Sequence, residues 1–306
     1  MLNPTNSNLS WCAGFFDGEG SFSFAAKCPY VLINNTNPLA VTKFAIEMKK
    51  NNVNFKITER SKPSKSSKKK RWDLYLSNNE EIKKFISLMK NYINGKSLQL
   101  HLLSNYYEDN NYNNYEDKVN DYNELMKYYN QINNILIQDE NKLFNKLGYI
   151  PEIKRHQFIS EELKEIKTDT YKDIDYLSGI IDAEGSIYIN KRQNKKRNTD
   201  RFTPWISITN TNKKIIECCC STLKNCDIRY YIFCRENRNR CRWDIIISGI
   251  KRTIKLSELL KNKLIIKNRQ LDLIYEYCNS RLLDLVSDNQ LGASFKESIE
   301  ALNKEN

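Results

Sequence analysis

Two short acidic segments carry the residue types that metal-dependent hydrolysis requires. An acid, a small residue and a second acid occupy positions 17–19 and again 182–184, each after a run of small and apolar residues. If those runs form two parallel helices in contact, Glu19 and Glu184 meet at the carbonyl ends of both helices, where a cation is favoured. Hard divalent ions take carboxylate and phosphate oxygens as ligands and drive phosphodiester hydrolysis. The pair therefore predicts nuclease chemistry, and two helix-end acids without a metal are the alternative.

The acidic segments belong to a longer internal repeat. Segments of the first half of the chain recur in the same order in the second half, which indicates a gene duplication and two similar half-domains. The matching pairs are WCAGFFDGEGSF at 11–22 with YLSGIIDAEGSI at 176–187, INNTN at 33–37 with ITNTN at 208–212, RWDLYLS at 71–77 with RWDIIIS at 242–248, and KSLQLHLL at 96–103 with RQLDLIYE at 269–276.

Both copies predict the same order of elements. A short apolar helix is followed by two strands of alternating polarity, a helix near 40–50 or 213–224, two further strands and a closing helix. This order gives a half-domain with an antiparallel sheet. The expected divisions of the chain are a first half-domain at 1–105, a linker at 106–170, a second half-domain at 171–285 and a C-terminal tail at 286–306.

The linker and the tail match nothing in the repeat. The linker begins with a polar stretch of low complexity and continues with apolar residues at helical spacing, so one or two helices are expected beside or between the half-domains. An expansion without a role is the alternative. The tail, from about Ser287 onward, predicts a short amphipathic helix.

The charge balance favours a nucleic acid as the partner. The chain has 306 residues and a net charge of +12, and its 40% of hydrophobic residues are enough for a folded core. No stretch has the length and apolar character of a membrane span, and the first residues lack the features of a secretion signal. The nine cysteines contain no C-x-x-C pair and are expected to be reduced. The two histidines lie far apart, which leaves catalysis to carboxylates, lysines and metal.

The segments CAGFFDGEG and LSGIIDAEG resemble the two motif copies of the LAGLIDADG homing endonucleases of the single-chain, double-motif type. The resemblance covers roughly residues 9–105 and 172–283. It implies an α+β fold in which a pseudo-twofold pair of αββαββα half-domains with antiparallel sheets forms a saddle over double-stranded DNA, in a monomer. It also implies that the eighth motif residue binds the metal together with the preceding backbone carbonyl. These positions match Glu19 with Gly18, and Glu184 with Ala183.

Further site residues follow from the same resemblance. The sixth motif residue has a structural role at the helix end, and it matches Asp17 and Asp182. In the family, a polar residue after the second strand supports the attacking water. By position it matches Asn35 and Asn210, and two plain turn residues are the alternative.

The family also places a lysine of the catalytic site before the closing helix. In the second half this position matches Lys267. In the first half it falls on Asn94, while Lys96 lies two residues later and matches Arg269 in the repeat. The resemblance therefore leaves open which side chain of the first half has this role, with Lys96 as the candidate.

Three basic runs, at 62–71, 191–201 and 235–242, are expected at hairpin tips, where they would contact DNA. The first and the third are equivalent in the repeat, which disfavours the alternative of merely solvated loops. A β-ribbon fits the major groove, where Lys and Arg bind phosphates and Arg, Asn and Gln read bases. Trp72 and Trp243 are expected to pack in the sheets. The candidate DNA-binding residues are Lys62, Lys65, Lys68, Lys69, Lys70, Arg71, Arg192, Lys195, Lys196, Arg197, Arg201, Arg235, Arg238, Arg240 and Arg242.

Taken with the resemblance, the sequence predicts a site-specific DNA endonuclease that uses Mg²⁺ or Mn²⁺ and spreads a mobile intron by cutting the intronless allele. An RNA maturase that assists the splicing of its own intron RNA is the second candidate, and both activities can coexist in one chain. A DNA-binding regulator without catalysis ranks third, because both acids are present. The many Asn, Lys, Ile and Tyr residues indicate an AT-rich gene, so a mitochondrial location is expected, and a chloroplast origin would look similar.

Overall fold

The computed structural model describes residues 7–25, 28–60, 70–108, 173–194, 199–237, 240–283 and 288–305. The linker predicted at 106–170 therefore lies outside the described residues from position 109 onward. The elements of the first half are α1 (Ser7–Glu19), β1 (Gly20–Ala25), β2 (Cys28–Asn35), α2 (Pro38–Lys50), β3 (Lys56–Arg60), β4 (Arg71–Leu76), α3 (Asn79–Met89) and α4 (Ser97–Glu108).

The second half repeats this order and ends with one extra helix. Its elements are α5 (Ile174–Glu184), β5 (Gly185–Asn194), β6 (Thr199–Asn210), α6 (Lys213–Asn225), β7 (Tyr231–Asn237), β8 (Arg240–Ser248), α7 (Ile250–Leu260), α8 (Asn268–Leu282) and α9 (Asp288–Glu305). The fold is α+β, as predicted. The predicted order had one closing helix per half, whereas the structure has two, because α3 and α7 precede the closing helices α4 and α8.

Helix α3 shows what the sequence prediction missed. Its residues Ile82, Phe85, Ile86 and Met89 are all buried and follow the spacing of one helical face. The side chain of Asn78 accepts hydrogen bonds from the first backbone N–H groups of the helix, which stabilises its N-terminus. Both signals are present in the sequence between the fourth strand and the closing helix.

Each half contains one antiparallel sheet of four strands. The strand order is β1-β2-β4-β3 in sheet 1 and β5-β6-β8-β7 in sheet 2. Asn35, at the end of β2, lies opposite Trp72 in the register, and Asn210, at the end of β6, lies opposite Trp243. The two sheets therefore bring equivalent residues of the repeat to equivalent places.

The central strands direct their large apolar residues into the core. Leu74 and Ile245 are buried at equivalent positions of β4 and β8. Trp243 is buried as well, and Trp72 is partly buried and packs against the core. The expectation that both tryptophans pack in the sheets is confirmed.

Helices α1 and α5 join the two halves in backbone contact. A methyl group on Gly14 would lie 2.1 Å from the carbonyl oxygen of Tyr176, and one on Gly179 would lie 2.2 Å from the carbonyl oxygen of Trp11. Only glycine permits this approach. In these contacts the N-terminal parts of the two helices face each other, and Gly18 faces Ala183 near the C-terminal ends. The helices are therefore parallel, and their C-terminal ends lie together.

The predicted helix in the tail is present as α9, which extends the core of the second half. The ring centroids of Tyr277 in α8 and Phe295 in α9 are 5.9 Å apart. Asn303 donates a hydrogen bond of 3.0 Å from Nδ2 to the carbonyl oxygen of Ile187 in β5. Gly292 faces Phe202 of β6 so closely that a methyl group there would lie 2.3 Å from the ring.

The described residues contain no helix that is both long and apolar enough to cross a membrane. The cysteines with described side chains are free thiols, as the sequence predicted. They are Cys12, Cys218, Cys219, Cys220, Cys226, Cys234 and Cys278.

Candidate active site

The carboxylate of Asp17 connects helix α1 to the start of helix α4. It accepts hydrogen bonds of 2.9 Å from the backbone N–H groups of Asn94, Gly95 and Lys96. The hydroxyl of Tyr176, in the other half, donates a fourth bond of 2.7 Å. Four donors compensate the burial of this charge and fix the connection before α4.

Asp182 has the equivalent surroundings in the second half. It accepts bonds of 2.7, 3.0 and 3.1 Å from the backbone N–H groups of Ile265, Ile266 and Lys267. The fourth donor is the indole N–H of Trp11, at 3.0 Å from Oδ2. Each motif aspartate is therefore completed by an aromatic residue of the other half, and both have the structural position that the resemblance implied.

The two lysines that precede the closing helices occupy equivalent places. The Nζ atom of Lys96 donates to the carbonyl oxygens of residues 16 and 17, and that of Lys267 donates to those of residues 181 and 182. The repeat match that set Lys96 beside Arg269 is thus wrong by two residues. The connections at 90–96 and 261–267 have equal length, and an insertion-free alignment through them pairs Lys96 with Lys267.

The position of Asn94 agrees with this correction. Its backbone N–H binds Asp17, and its side chain contacts the sulfur of Cys218, so Asn94 does not take the lysine's place. Burial lowers the pKa of Lys96 and of Lys267, and the nearby carboxylates oppose that shift.

The repeated asparagines hold the two motif glutamates. Asn35 donates from Nδ2 to Oε1 of Glu19 at 2.9 Å, and Asn210 donates to Oε1 of Glu184 at 3.4 Å. In both asparagines Oδ1 accepts a backbone N–H two residues later, at 2.7 Å. That bond fixes the orientation of the amide group, so that its N–H group faces the glutamate.

The two glutamates meet where the helices end. A methyl group on Gly18 would lie 3.2 Å from Cγ of Glu184. Burial, together with the charge of Glu184, raises the pKa of Glu19 to about 7, against the opposing effect of Lys267 and of the bond from Asn35. Burial also raises the pKa of Glu184. Two partly desolvated carboxylates that repel each other are unfavourable as a pair of anions, and a cation would relieve that cost.

The oxygen atoms of this pair fit a hard divalent cation. Each glutamate uses Oε1 for its asparagine, while Oε2 accepts no hydrogen bond from the described part of the chain. Lys96 and Lys267 donate to the carbonyl oxygens of Asp17 and Asp182, the residues before Gly18 and Ala183. The carbonyl oxygens of Gly18 and Ala183 do not bind these lysines. Over the described ranges no cluster of three His, Cys, Asp or Glu side chains could hold a metal, so water and phosphate oxygens would complete its ligands.

Among known sequences the similarity is limited. No protein-family model matches the chain. An uncharacterized protein of Methanocaldococcus jannaschii, MJ0314, is 39% identical over 64 residues. That match covers 21% of this chain and spans about a fifth, 22%, of the other protein.

Among solved structures the similarity extends over nearly the whole chain. The crystal structure of the LAGLIDADG homing endonuclease I-GzeII in complex with its DNA target matches with a TM-score of 0.57 and 11% identity, over 97% of both chains. The protein has the LAGLIDADG homing endonuclease fold. The meganuclease I-SmaMI, bound to uncleaveable DNA, matches with a TM-score of 0.57 and 12% identity, over 96% of this chain and 95% of that one.

Within this LAGLIDADG fold, every basic run spans the connection between two paired strands. The runs join β3 to β4, β5 to β6 and β7 to β8. Lys62, Lys65, Lys68, Lys69, Lys195, Lys196, Arg197 and Arg238 lie outside the described residues. Arg235 and Arg240 lie on β7 and β8.

Five of the candidate DNA-binding side chains are described, and most have protein contacts. The guanidinium of Arg192 lies 5.7 Å from the ring centre of Trp205, and Lys70 pairs with Glu59 at 2.8 Å. Arg201 is exposed. Arg71 and Arg242 both lie beside an aspartate of the repeated RWD segment.

Sequence reasoning missed how the two halves exchange contacts at the site. Trp11 and Tyr176 were aligned as members of the repeat, but their bonds to the opposite aspartates were not foreseen. The second asparagine of the N-x-N pattern was also missed. Asn37 and Asn212 cap helices α2 and α6, and this explains why the pattern occurs in both copies.

Proposed function

We propose that this protein is a site-specific DNA endonuclease that hydrolyses one phosphodiester bond on each strand with the help of bound Mg²⁺ or Mn²⁺. The duplicated site carries the proposal. Each half supplies one carboxylate, one asparagine and one lysine in the same arrangement, at the junction of α1 and α5. Two equivalent sets of groups suit the two strands of a duplex, because a twofold-related protein matches a twofold-related target.

Glu19 and Glu184 would hold the metal, with water, DNA phosphate oxygens and the carbonyls of Gly18 and Ala183 as further ligands. Bound there, a divalent ion would supply a water of lowered pKa and offset the negative charge of the phosphate. Oε1 of each glutamate accepts the bond from its asparagine, so Oε2 would be the oxygen available to the ion.

The lysines would stabilise the negative charge that develops on the phosphate. Lys96 and Lys267 are each held by two carbonyl oxygens at the end of a motif helix, so their positions are set before DNA binds. A preorganised positive charge in a partly desolvated site stabilises a transition state more strongly than one in water.

The sheets and their hairpins would bind the duplex. Basic residues concentrate at the strand connections, and Arg192 and Arg201 lie on the long β5–β6 hairpin of sheet 2. Phosphate contacts by such residues give affinity for any sequence, and side chains on the strands add base contacts. The relatives in fold, I-GzeII and I-SmaMI, were both crystallised with DNA, which supports this use of the surface.

The experiment is a cleavage assay on a library of organellar and randomised plasmid DNA, with Mg²⁺ or with EDTA, followed by sequencing of the ends. We expect a discrete Mg²⁺-dependent double-strand break that is lost in Glu19→Gln and in Glu184→Gln. Glu59→Gln is the matched control, because it removes a carboxylate outside the site. Sequence-selective binding without cleavage by the folded wild-type protein would overturn the endonuclease proposal.

Homing of an intron, a monomeric state and a mitochondrial or chloroplast origin are further parts of this proposal. The first two rest on the resemblance, and the third rests on the AT-rich composition together with the resemblance. The maturase alternative rests on the resemblance alone. It predicts that a Glu19→Gln variant, which should not cut DNA, still restores splicing of its intron RNA.

A further inference from the structure

The repeated RWD segment contains an aspartate that the proposed site does not use. Asp73 and Asp244 alternate on strands β4 and β8 with the core residues Leu74 and Ile245, so both lie on the sheet face away from the core. They are nevertheless only 3% and 5% exposed. A buried carboxylate is costly unless other groups compensate its charge, so its partners are informative.

In sheet 1 the partners of Asp73 are two arginines. Nε of Arg60 pairs with Oδ2 of the aspartate, and Nε of Arg71 lies 3.2 Å from Oδ1. Arg60 and Arg71 are opposite each other in the strand register. Their side chains are 59% and 40% exposed, so both extend from the buried carboxylate into solvent.

Sheet 2 has the corresponding arrangement around Asp244. Thr209 donates a hydrogen bond of 2.5 Å from its hydroxyl to Oδ1, and Nε of Arg242 lies 3.4 Å from the same oxygen. The side chain of Arg242 is 52% exposed. The register places Arg235 opposite Arg242, as it places Arg60 opposite Arg71. The Arg-x-Asp spacing on a strand puts both side chains on one face, which is how both copies form the pair.

By their charge alone, these aspartates would weaken the affinity for DNA. A negative charge on a surface that meets a polyanion weakens the attraction of phosphates. The ion pairs use Nε of Arg60, Arg71 and Arg242, and Nη2 of Arg242 also donates to the hydroxyl of Thr209 at 3.5 Å. The two Nη groups of an arginine form the fork that fits O6 and N7 of guanine. An arginine that is already ordered by an ion pair loses less side-chain entropy when it binds.

We propose that Asp73 and Asp244 are positioning residues for base recognition. Asp73 holds Arg60 and Arg71, and Asp244 holds Arg242, so that these arginines read base edges in the major groove. Each aspartate thereby sets the sequence preference of the half-site that its own sheet contacts. This inference rests on the proposed function, because it requires that the protein binds a specific DNA sequence.

The test starts from a target that the full-length wild-type protein selects from a randomised duplex library. The affinities of wild type and of Asp73→Asn are then measured for every single-base substitution of that target. We expect Asp73→Asn to lose about tenfold of its preference at base pairs of one half-site, while the other half-site keeps its profile. Asp244→Asn should have the same effect in the other half-site. Affinity for unrelated duplexes should stay equal or rise, because one negative charge is removed.

Glu59→Gln is the matched control for charge. It removes a carboxylate on the same hairpin that pairs with Lys70, so it should change overall affinity without changing base preference. If Asp73→Asn melts before the wild type does, Arg71→Gln must show the loss of preference in the same half-site.

Two outcomes overturn the inference. One is a folded Asp73→Asn variant that keeps the base preference, and the other is an equal loss of affinity for all sequences. Failure of the wild type to select any sequence would instead overturn the proposed function.

Discussion

Replacing Glu19 by Gln should make the metal-free protein more stable while it abolishes cleavage. In the folded protein the pKa of Glu19 is raised from 4.5, the pKa of an exposed glutamate, to about 7, chiefly because the group is buried. The unfolded chain therefore releases this proton at lower pH than the folded protein does. As pH rises from 4.5 to 7, the wild type loses stability, and the loss is complete above pH 7.

The size of the effect follows from the two pKa values. Their difference corresponds to about 3 kcal/mol at pH 8. Gln keeps an oxygen that accepts the bond from Asn35, so that interaction remains. The pKa of about 7 already includes the opposing attraction of Lys96 and Lys267, and screening by solvent at this partly buried group leaves a net gain of about 1–3 kcal/mol. Below pH 4.5 the wild type is protonated at this group in both states, and the difference should vanish.

The assay is urea unfolding in EDTA at pH 4.5, 6 and 8 for the wild type, Glu19→Gln and the control Glu59→Gln. We expect the gain of Glu19→Gln to grow with pH, and the control to stay within about 0.5 kcal/mol of wild type. Addition of Mg²⁺ at pH 8 should stabilise the wild type more than the variant, because ligand binding to the folded state adds stability. A gain that is absent or independent of pH would refute the argument that Glu19 is desolvated beside Glu184.

Four further outcomes are expected. Gly179→Ala should cost about 3 kcal/mol or more in urea unfolding, because the new methyl group meets a backbone carbonyl, whereas Gly249→Ala, at φ 95° with nothing within 4 Å, should cost about 1–2 kcal/mol. Trp11→Phe should cost about 1–3 kcal/mol in the same assay, because the buried carboxylate of Asp182 loses a donor. Lys267→Met should lower single-turnover cleavage by about 100-fold or more with little change in DNA affinity. The logarithm of DNA affinity should fall with the logarithm of salt concentration, with a slope of about −5 or steeper in a filter-binding titration.

Each of these expectations has a result that contradicts it. Equal costs for the two glycine variants would mean that α1 and α5 can separate without penalty. Wild-type stability of Trp11→Phe would show that water replaces the indole as donor. Full cleavage by Lys267→Met would remove the lysine from the proposed chemistry. A slope near zero would exclude phosphate contacts as the source of affinity.

The sequence alone predicted the fold and the meeting of the two glutamates because both follow from the repeat. Segments of similar sequence fold alike, and the small residues at Gly14 and Gly179 permit two helices to pack closely. The first-half equivalent of Lys267 was left open between Asn94 and the candidate Lys96, because the match of KSLQLHLL with RQLDLIYE by residue type is shifted by two residues from the match by hydrogen bonds. Asp17 and Asp182 settle the correct register, since each binds three consecutive backbone N–H groups of its connection.

The contacts across the halves could not be predicted either. Spacing along a chain says which residues share a helix, but the bond from Trp11 to Asp182 depends on how two helices pack. The same holds for the pairing of Arg60 with Asp73, which joins the neighbouring strands β3 and β4. Contacts between elements can be identified only from the packed structure, whereas the order and polarity of the elements can be predicted from the sequence.

The exchanged aromatic donors have a consequence for the ancestry of the protein. A symmetric pair of identical half-domains, as the duplication implies for the ancestor, would use the same residue for both bonds. Fusion into one chain removed that constraint, and the two positions now hold Trp11 and Tyr176, whose donor groups differ in reach. Each half therefore supplies a different aromatic donor to the aspartate of the other half. A half-domain paired with its own copy would therefore place the other aromatic residue against the aspartate, Trp11 beside Asp17 or Tyr176 beside Asp182.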